Sequence, residues 1–248
     1  MFEKAAALER HGRSWTYFAG LTSISPALRY DPQAAIVARG RQLHAREVAC
    51  YSSHYEAWRS FLATDDDQLL VIEDDVRLDW VFVENLLTRS LAAGGIDYLR
   101  LYSKNMTPYA VVSNDFHGRW LLDLRGFAYG TQAYMLTRKG ASVFMDHCGG
   151  SVRRPIDDEM DRSWAHGLPN LTAFPFPAFE ASGPSTIGAD RDQFASLSPR
   201  ILLRRRSSQV RERLLRLRQT ITGSGQVRDL PAYPSREFGQ SCSPGAHR

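Results

Sequence analysis

An apolar run that ends abruptly in three acids is the feature that most restricts how this chain can fold. Residues 69–72 read Leu-Leu-Val-Ile, and residues 73–75 read Glu-Asp-Asp. Consecutive apolar residues that include β-branched side chains are typical of a strand buried on both faces of a sheet. The acids cannot belong to the core, because burying unpaired charges costs several kcal/mol each. They therefore face solvent or a cation.

The position of these acids suggests a ligand site. In an open α/β sheet, ligands bind in the crevice outside the carboxyl ends of the strands. Glu73 and Asp75 are separated by one residue, so both can turn oxygens toward one hard divalent cation, with Asp74 between them. At this point a metal site and an ordinary acidic turn after a strand are equally open.

The chain around this segment alternates predicted strands and helices. Between residues 47 and 62, apolar side chains recur every three or four positions, which indicates an amphipathic helix. Further helices are predicted over residues 2–11, 80–91 and 138–146, and another is predicted to begin at Pro155. Further strands are predicted over residues 14–20, 96–102 and 127–136. Such alternation predicts an α/β fold with a largely parallel central sheet.

Composition excludes several classes of protein. The 248 residues contain no apolar run of 18 or more, so no segment is predicted to span a membrane. The charged start lacks the apolar core of a secretory signal. Three cysteines without a CxxC pair argue against a disulfide framework or a thiolate zinc site. We therefore expect a cytoplasmic protein.

Positive charge is concentrated near the C-terminus. Between residues 200 and 218 the one acid is Glu212, and the arginines are Arg200, Arg204, Arg205, Arg206, Arg211, Arg213, Arg216 and Arg218. An apolar stripe recurs at helical spacing at Val210, Leu214, Leu217 and Ile221. Residues 200–222 are predicted to form a basic amphipathic helix.

This helix could lie on an anionic membrane surface, or it could dock on the domain by the same apolar stripe. Nucleic acid is not an expected partner, because no aromatic residues interleave the arginines. Residues 223–248 are rich in Gly, Ser, Pro and Gln and are predicted to be a disordered tail.

Five segments of the chain match, in order, blocks of a known family. The segments are HAREVACYSSHYEAWRSFL, LLVIEDDVRLD, GFAYGTQAYMLTRKGA, RPIDDEMDRSW and GPSTIGADR. They resemble family 25 glycosyltransferases, the lipopolysaccharide and lipooligosaccharide galactosyltransferases and their collagen-modifying relatives. The resemblance implies one nucleotide-sugar-binding domain of the GT-A type over residues 1–199. It also implies an apolar strand before the first helix, which is missing here: either the true start lies upstream of Met1, or donor binding is weakened.

The resemblance carries an activity. It implies transfer of a hexose, often galactose, from a nucleotide diphosphate sugar such as a UDP-hexose to a saccharide acceptor, usually with Mn²⁺ or Mg²⁺. For a lipid-linked acceptor of a surface glycan, the enzyme would be peripheral on the inner face of the membrane. The predicted mechanism is metal-assisted and inverting.

The resemblance also assigns roles to the acids. Asp75 is implied as a metal ligand, with Glu73 and Asp74 holding or orienting the site. Asp157 is implied as the catalytic base or an acceptor-binding group, with Asp158 as the second choice. From the residues alone, ordinary capping of a helix N-terminus is the favoured reading of Asp157 and Asp158.

Two further motifs are implied to contact the donor. Gly130, Thr131 and Tyr134 match a G-T-x-x-Y strand of the family, and Ser53-His54 matches a Ser-His pair. A glycine bulge in a core strand is an equally good reading of the first motif. For the second motif, a structural histidine on a helix is the favoured reading.

Two other functions compete with the transferase. A non-catalytic relative that keeps the fold as a binding or assembly module is the main alternative. A metal-dependent phosphohydrolase could use the same acids, but no nucleophile motif or His-rich cluster accompanies them.

Overall fold

The computed structural model describes residues 15–181 and 198–222. The helices are α1 (Pro32–Arg39), α2 (Ala45–Leu62), α3 (Trp80–Leu87), α4 (Arg138–Cys148), α5 (Ile156–Met160), α6 (Ser163–His166) and α7 (Pro199–Thr222). The strands are β1 (Arg29–Tyr30), β2 (Gln68–Ile72), β3 (Val76–Leu78), β4 (Tyr98–Arg100), β5 (Tyr109–Phe116), β6 (Arg119–Leu124), β7 (Ala133–Thr137), β8 (Ser151–Val152), β9 (Leu171–Phe174) and β10 (Ala178–Glu180). The helix predicted over residues 2–11 and the disordered tail predicted over residues 223–248 lie outside the described residues.

A six-stranded sheet in the order β2-β7-β4-β9-β6-β5 forms the centre of the molecule. Strands β4 and β9 run parallel, whereas β2–β7, β7–β4, β9–β6 and β6–β5 are antiparallel pairs. The predicted largely parallel sheet is therefore wrong. One reason is the β5–β6 hairpin, which the sequence did not indicate; its two-residue turn, His117-Gly118, has positive φ at both positions.

The core lies on both faces of this sheet. Alternate residues of the interior strand β7 point to opposite sides: Tyr134 and Leu136 pack with α2 and α4, whereas Ala133 and Met135 pack with α3. All five residues of β7 are buried. The chain is thus a mixed α/β protein built around a central sheet.

Strand β2 lies at one edge of the sheet, and its residues are half-buried. The sequence predicted a strand at this place, which is correct. It also predicted burial on both faces: Leu69 and Val71 do pack on one core cluster, and Leu70 and Ile72 on the other, but all four stay half-buried. The reason is that an edge strand has a neighbour on one side only. The acids that follow β2 therefore lie at a partly solvent-exposed edge of the sheet.

Several local predictions need new boundaries. The helix predicted over residues 47–62 is α2, which begins two residues earlier with a capping box between His44 and Glu47. Residues 15–20 form no strand. The strand predicted from residue 127 begins only at Ala133, because the preceding residues form a loop. Pro155 is the N-cap of α5 and not its first helical residue.

Helix α7 packs against α1 and α6. It is 24 residues long and carries the arginines of the basic segment. In the described ranges, no helix combines the length and apolar composition needed to cross a bilayer.

Candidate active site

The loop between β6 and β7, residues 125–132, lies beside the acidic end of β2. Because β2 and β7 are antiparallel, Ile72 at the end of β2 faces Ala133 at the start of β7. The amide of Glu73 donates to the carbonyl of Gln132 at 2.7 Å. Within this loop, Tyr129 and Gly130 both have positive φ, at 57° and 92°. This backbone turn delivers Thr131 to the acids.

Glu73 is held by side chains from the loop and from α2. The hydroxyl of Thr131 donates to Oε1 of Glu73 at 2.6 Å, and Nε2 of His54 lies 3.4 Å from the same oxygen. On the other side of its ring, Nδ1 of His54 lies 2.8 Å from the hydroxyl of Tyr134, which also accepts from Nε1 of Trp58 at 2.9 Å. Burial raises the pKa of Glu73, but the hydrogen bonds from His54 and Thr131 outweigh it and leave that pKa below its usual range. Glu73 is thus a fixed, ionised carboxylate.

A fourth acid, Glu180, joins this end of the sheet. Strand β10 pairs with β3 so that Glu180 lies opposite Val76, and the amide of Ala181 donates to the carbonyl of Asp75 at 2.7 Å. The side-chain amide of Gln132 donates to Glu180 at 2.7 Å. No pattern in the sequence indicated Glu180, because only the pairing of β10 with β3 brings it to the acids.

Asp74 and Asp75 are exposed in the turn between β2 and β3. Partial burial raises the pKa of Asp75, and the negative charges of Glu73, Asp74 and Glu180 raise it further. The turn therefore carries an excess of negative charge that a cation would relieve.

The donor atoms here fit a hard divalent cation, but they do not form a complete cage. Within the described part of the chain, no group of three or more His, Cys, Asp or Glu could hold a metal ion by itself. Glu73 is engaged with Thr131 and His54, whereas Asp75 and Glu180 are exposed carboxylates. Mg²⁺ is typically held by one or two carboxylates together with substrate phosphates and water. Asp75 and Glu180 are therefore the residues that could hold such a cation, with its remaining ligands supplied from outside the protein.

The same loop also contacts a second acidic block. The amide of Tyr129 donates to Oδ2 of Asp161 at 2.7 Å, and Nη1 of Arg100 donates to the carbonyl of Tyr129 at 2.9 Å. Arg100 and Asp161 form an ion pair at 3.0 Å in which both side chains are fully buried. Burial outweighs the attraction of Arg100 and raises the pKa of Asp161 to about 6. This ion pair holds the backbone of Tyr129 from both sides.

Asp157 and Asp158 lie on α5, beside this ion pair. Asp158 is 1% exposed and pairs with Arg39 at 3.2 Å and with Arg154 at 3.9 Å. Burial raises its pKa to about 7 despite both arginines. Asp157 is half-buried, and its Oδ1 accepts from the amide of Asp158 at 2.8 Å. Asp157 is thus the acid of α5 with the better access to a substrate.

The remaining predicted site residues have internal partners. Tyr134 is 1% exposed, and its hydroxyl is engaged by His54 and Trp58, so it can act on a ligand only through them. The hydroxyl of Ser53 accepts from the amide of Leu21 at 2.8 Å and donates to the carbonyl of Ala49. Ser53 therefore holds the segment that precedes α1.

Sequence reasoning missed Arg100 and Asp161. Arg100 lies within the apolar sequence Tyr-Leu-Arg-Leu-Tyr, which reads simply as a strand. Asp161 follows Asp157 by four residues, a spacing that places both near one face of a helical turn and was the available signal.

Comparison with known proteins identifies the family of these segments. A family model described as glycosyltransferase family 25 (LPS biosynthesis protein) matches residues 9–160, more than half of the chain. A glycosyltransferase 25 family member of Aedes aegypti is 25% identical over 126 residues, which are 48% of this chain and 20% of that protein. A probable inactive glycosyltransferase 25 family member 3 of Rattus norvegicus is 34% identical over 126 residues, 48% of this chain and 21% of that protein. Human procollagen galactosyltransferase 2 is 27% identical over 125 residues, 48% of this chain and 19% of that protein. The matched segments thus span about a fifth of the length of these relatives.

Proposed function

Because the chain belongs to glycosyltransferase family 25, we propose that it is a hexosyltransferase that moves a sugar such as galactose from a nucleotide diphosphate donor to a saccharide acceptor. The observation that supports this most is the β6–β7 loop, where Thr131 binds Glu73 and Tyr129 binds Asp161. One loop thus connects the acids at the end of β2 with the acids near α5. A donor at the first set and an acceptor at the second would be neighbours.

The donor side of the proposal is the acidic end of β2, in a domain of the GT-A type. Asp75 and Glu180 would hold Mn²⁺ or Mg²⁺ together with the diphosphate of a UDP-hexose, and Glu73 would fix the turn that carries Asp75. When bound, the cation neutralises the negative charge that develops on the diphosphate leaving group. Thr131 and His54 keep Glu73 in place through the contacts described above.

The acceptor side of the proposal is Asp157. In an inverting transfer, this carboxylate takes the proton of the acceptor hydroxyl as the hydroxyl oxygen bonds to the anomeric carbon of the sugar. The bond between that carbon and the diphosphate oxygen breaks, and the nucleotide diphosphate leaves with the electron pair. Asp158 is paired with Arg39 in the interior, so we assign it to holding α5.

The proposed acceptor is a lipid-linked surface glycan, such as a growing lipopolysaccharide. The corresponding place of action is the cytoplasmic face of the membrane that carries the acceptor. The protein would be peripheral to that membrane.

A comparison of carboxylate variants tests the enzyme. Asp75→Asn and Asp157→Asn should each lower hexose transfer from a UDP-sugar with Mn²⁺ by about 100-fold or more, because one loses a metal ligand and the other the base. Asp65→Asn is the matched control, since Asp65 is an exposed acid just before the opposite end of β2. Full activity of Asp75→Asn, or undiminished transfer in excess chelator, would reject the metal role.

A non-catalytic binding or assembly module is the second candidate. The relatives named inactive or probably inactive are 32–35% identical to this chain, compared with 25% for the Aedes aegypti protein. Calorimetric titration with UDP-sugars, combined with an assay of donor consumption, separates the two candidates, since both would bind the donor but only the enzyme would consume it. Donor binding without hydrolysis or transfer, over a panel of sugars and acceptors, would favour the module.

A further inference from the structure

Helix α7 presents opposite faces to the domain and to solvent. At about 100° per residue, one side of the helix is half-buried against the domain and carries Ile201, Arg205, Ser208, Glu212, Leu215 and Gln219. The opposite side carries Leu203, Val210, Leu214 and Leu217, which are 70%, 55%, 61% and 58% exposed. The helix therefore has an apolar row that faces away from the protein.

The inward face is fixed by the one acid of the helix. Glu212 pairs with Arg154 at 3.2 Å and with Arg162, and it accepts from Nε1 of Trp164 at 2.5 Å. Seven residues further along the helix, Gln219 accepts from the hydroxyl of Ser163 at 3.0 Å. Contacts at two points along the helix set its rotation, so the apolar row is held outward.

This arrangement resolves one of the sequence alternatives. Docking of the helix on the domain by its apolar stripe is wrong, because Val210, Leu214 and Leu217 are exposed and the helix packs by another face. The fourth stripe residue, Ile221, lies where side chains are outside the described part of the structure. Charged and polar contacts hold the helix on the domain, which leaves the apolar stripe available to something else.

Arginines border the apolar row on both sides. Arg206 and Arg213 lie along one border, and the other border carries Arg200, Arg204, Arg211 and Arg218; all six are exposed. The acid of this helix, Glu212, faces the domain. The outward half of the helix thus combines an apolar row with positive charge alone.

We propose that this outward face of α7 binds an anionic membrane surface. A helix with an apolar row between cationic borders suits the interface of a bilayer, with leucines at the acyl boundary and arginines on lipid phosphates. Arginines alone would be enough to bind nucleic acid or an acidic protein. The exposed apolar row between them favours a lipid surface instead. Membrane binding would bring the protein to a lipid-linked acceptor, and this benefit rests on the proposed function. The binding itself does not require catalysis.

Co-sedimentation of the full chain with vesicles of phosphatidylglycerol and phosphatidylcholine tests the proposal. Wild-type protein should bind the anionic mixture and not pure phosphatidylcholine, and added salt should weaken the binding. Replacing Leu203, Leu214 and Leu217 together by Ser should weaken binding about 100-fold. Since these side chains face solvent, the variant should keep the thermal stability of the wild type.

A pair of charge variants separates the helix from general electrostatics. Arg206→Gln with Arg213→Gln should weaken vesicle binding about 20-fold. Arg29→Gln with Arg46→Gln removes the same charge from exposed positions on β1 and α2, and it should change binding by less than about twofold.

The proposal is overturned if wild-type protein stays in the supernatant with anionic vesicles. It is also overturned if the variant with three leucines replaced by Ser sediments as well as the wild type, or if the two pairs of arginine substitutions weaken binding equally. Binding to duplex DNA or an acidic protein without vesicle binding would also overturn it and assign the arginines to that partner. Transfer to a soluble acceptor is measured in parallel, so that failure of the membrane proposal is distinguishable from failure of the proposed activity.

Discussion

Replacing Gly130 by Ala is the most direct test of the β6–β7 loop. With φ at +92°, an added Cβ would lie 2.6 Å from Oε1 of Gln132 and 2.9 Å from Cε1 of Tyr102. The side chain of Gln132 can rotate away, but it would then release Glu180, to which it donates at 2.7 Å. The ring of Tyr102 would also have to move. The substitution therefore disturbs the loop where it meets the acids.

The expected loss in the free energy of unfolding is the sum of two costs. Alanine in a left-handed conformation costs roughly 1–2 kcal/mol, and forcing an extra carbon into a packed place costs about 1–3 kcal/mol. We expect Gly130→Ala to lower the free energy of unfolding by about 2–5 kcal/mol. Gly118→Ala is the matched control, because Gly118 has φ +78° and an added Cβ there meets nothing within 4 Å. The control should show only the cost of the left-handed backbone, about 1–2 kcal/mol.

Urea unfolding and calorimetric titration with UDP and Mn²⁺ measure the two effects. Gly130→Ala should bind UDP about 10-fold more weakly, which corresponds to about 1.4 kcal/mol, whereas Gly118→Ala should bind it like the wild type. The reasoning is refuted if the two variants are equally destabilised and both bind UDP with wild-type affinity.

Two further predictions concern the buried acids. Asp161→Asn leaves the guanidinium of Arg100 buried without its counter-charge and should cost about 3–5 kcal/mol in urea unfolding; a loss below about 1 kcal/mol would contradict this. The raised pKa of Asp158, about 7, means that the folded chain keeps a proton that the unfolded chain releases. The contribution of Asp158 to stability should therefore fall as the pH rises from about 4 to about 7. Relative to Asp158→Asn, the wild type should lose stability over this interval, and parallel unfolding curves of the two proteins against pH would argue against it.

Local patterns in the sequence predicted the elements better than their arrangement. The helical stripe that includes Tyr51 and Trp58 is complete within α2, so periodicity alone found that helix. The direction of β7 depends on its neighbours β2 and β4, and nothing within residues 133–137 encodes that choice. The α/β class followed from the sequence, and the mostly antiparallel pairing of the sheet did not.

The candidate site divides in the same way. Glu73 and Asp75 could be chosen from the sequence, because acids at the end of an apolar segment stand out, whereas Asp157 was chosen through the resemblance to the family. Arg100 could not, since its charge is balanced by Asp161 across 61 positions and both side chains are fully buried. A buried pair of this kind leaves no periodic signal in either segment.

The pairing of the central sheet has a consequence for how the protein folds. Ile72 pairs with Ala133, and Leu99 pairs with Leu171, so the sheet forms only when distant parts of the chain come together. Thr131 and Glu73 are 58 positions apart, and Gln132 and Glu180 are 48 apart. Closing such long loops costs entropy before the contacts form, and domains rich in non-local contacts fold slowly. On the ribosome, α2 can therefore form while the acids of β2 still have no partners, and the site assembles only after residue 180 has been made.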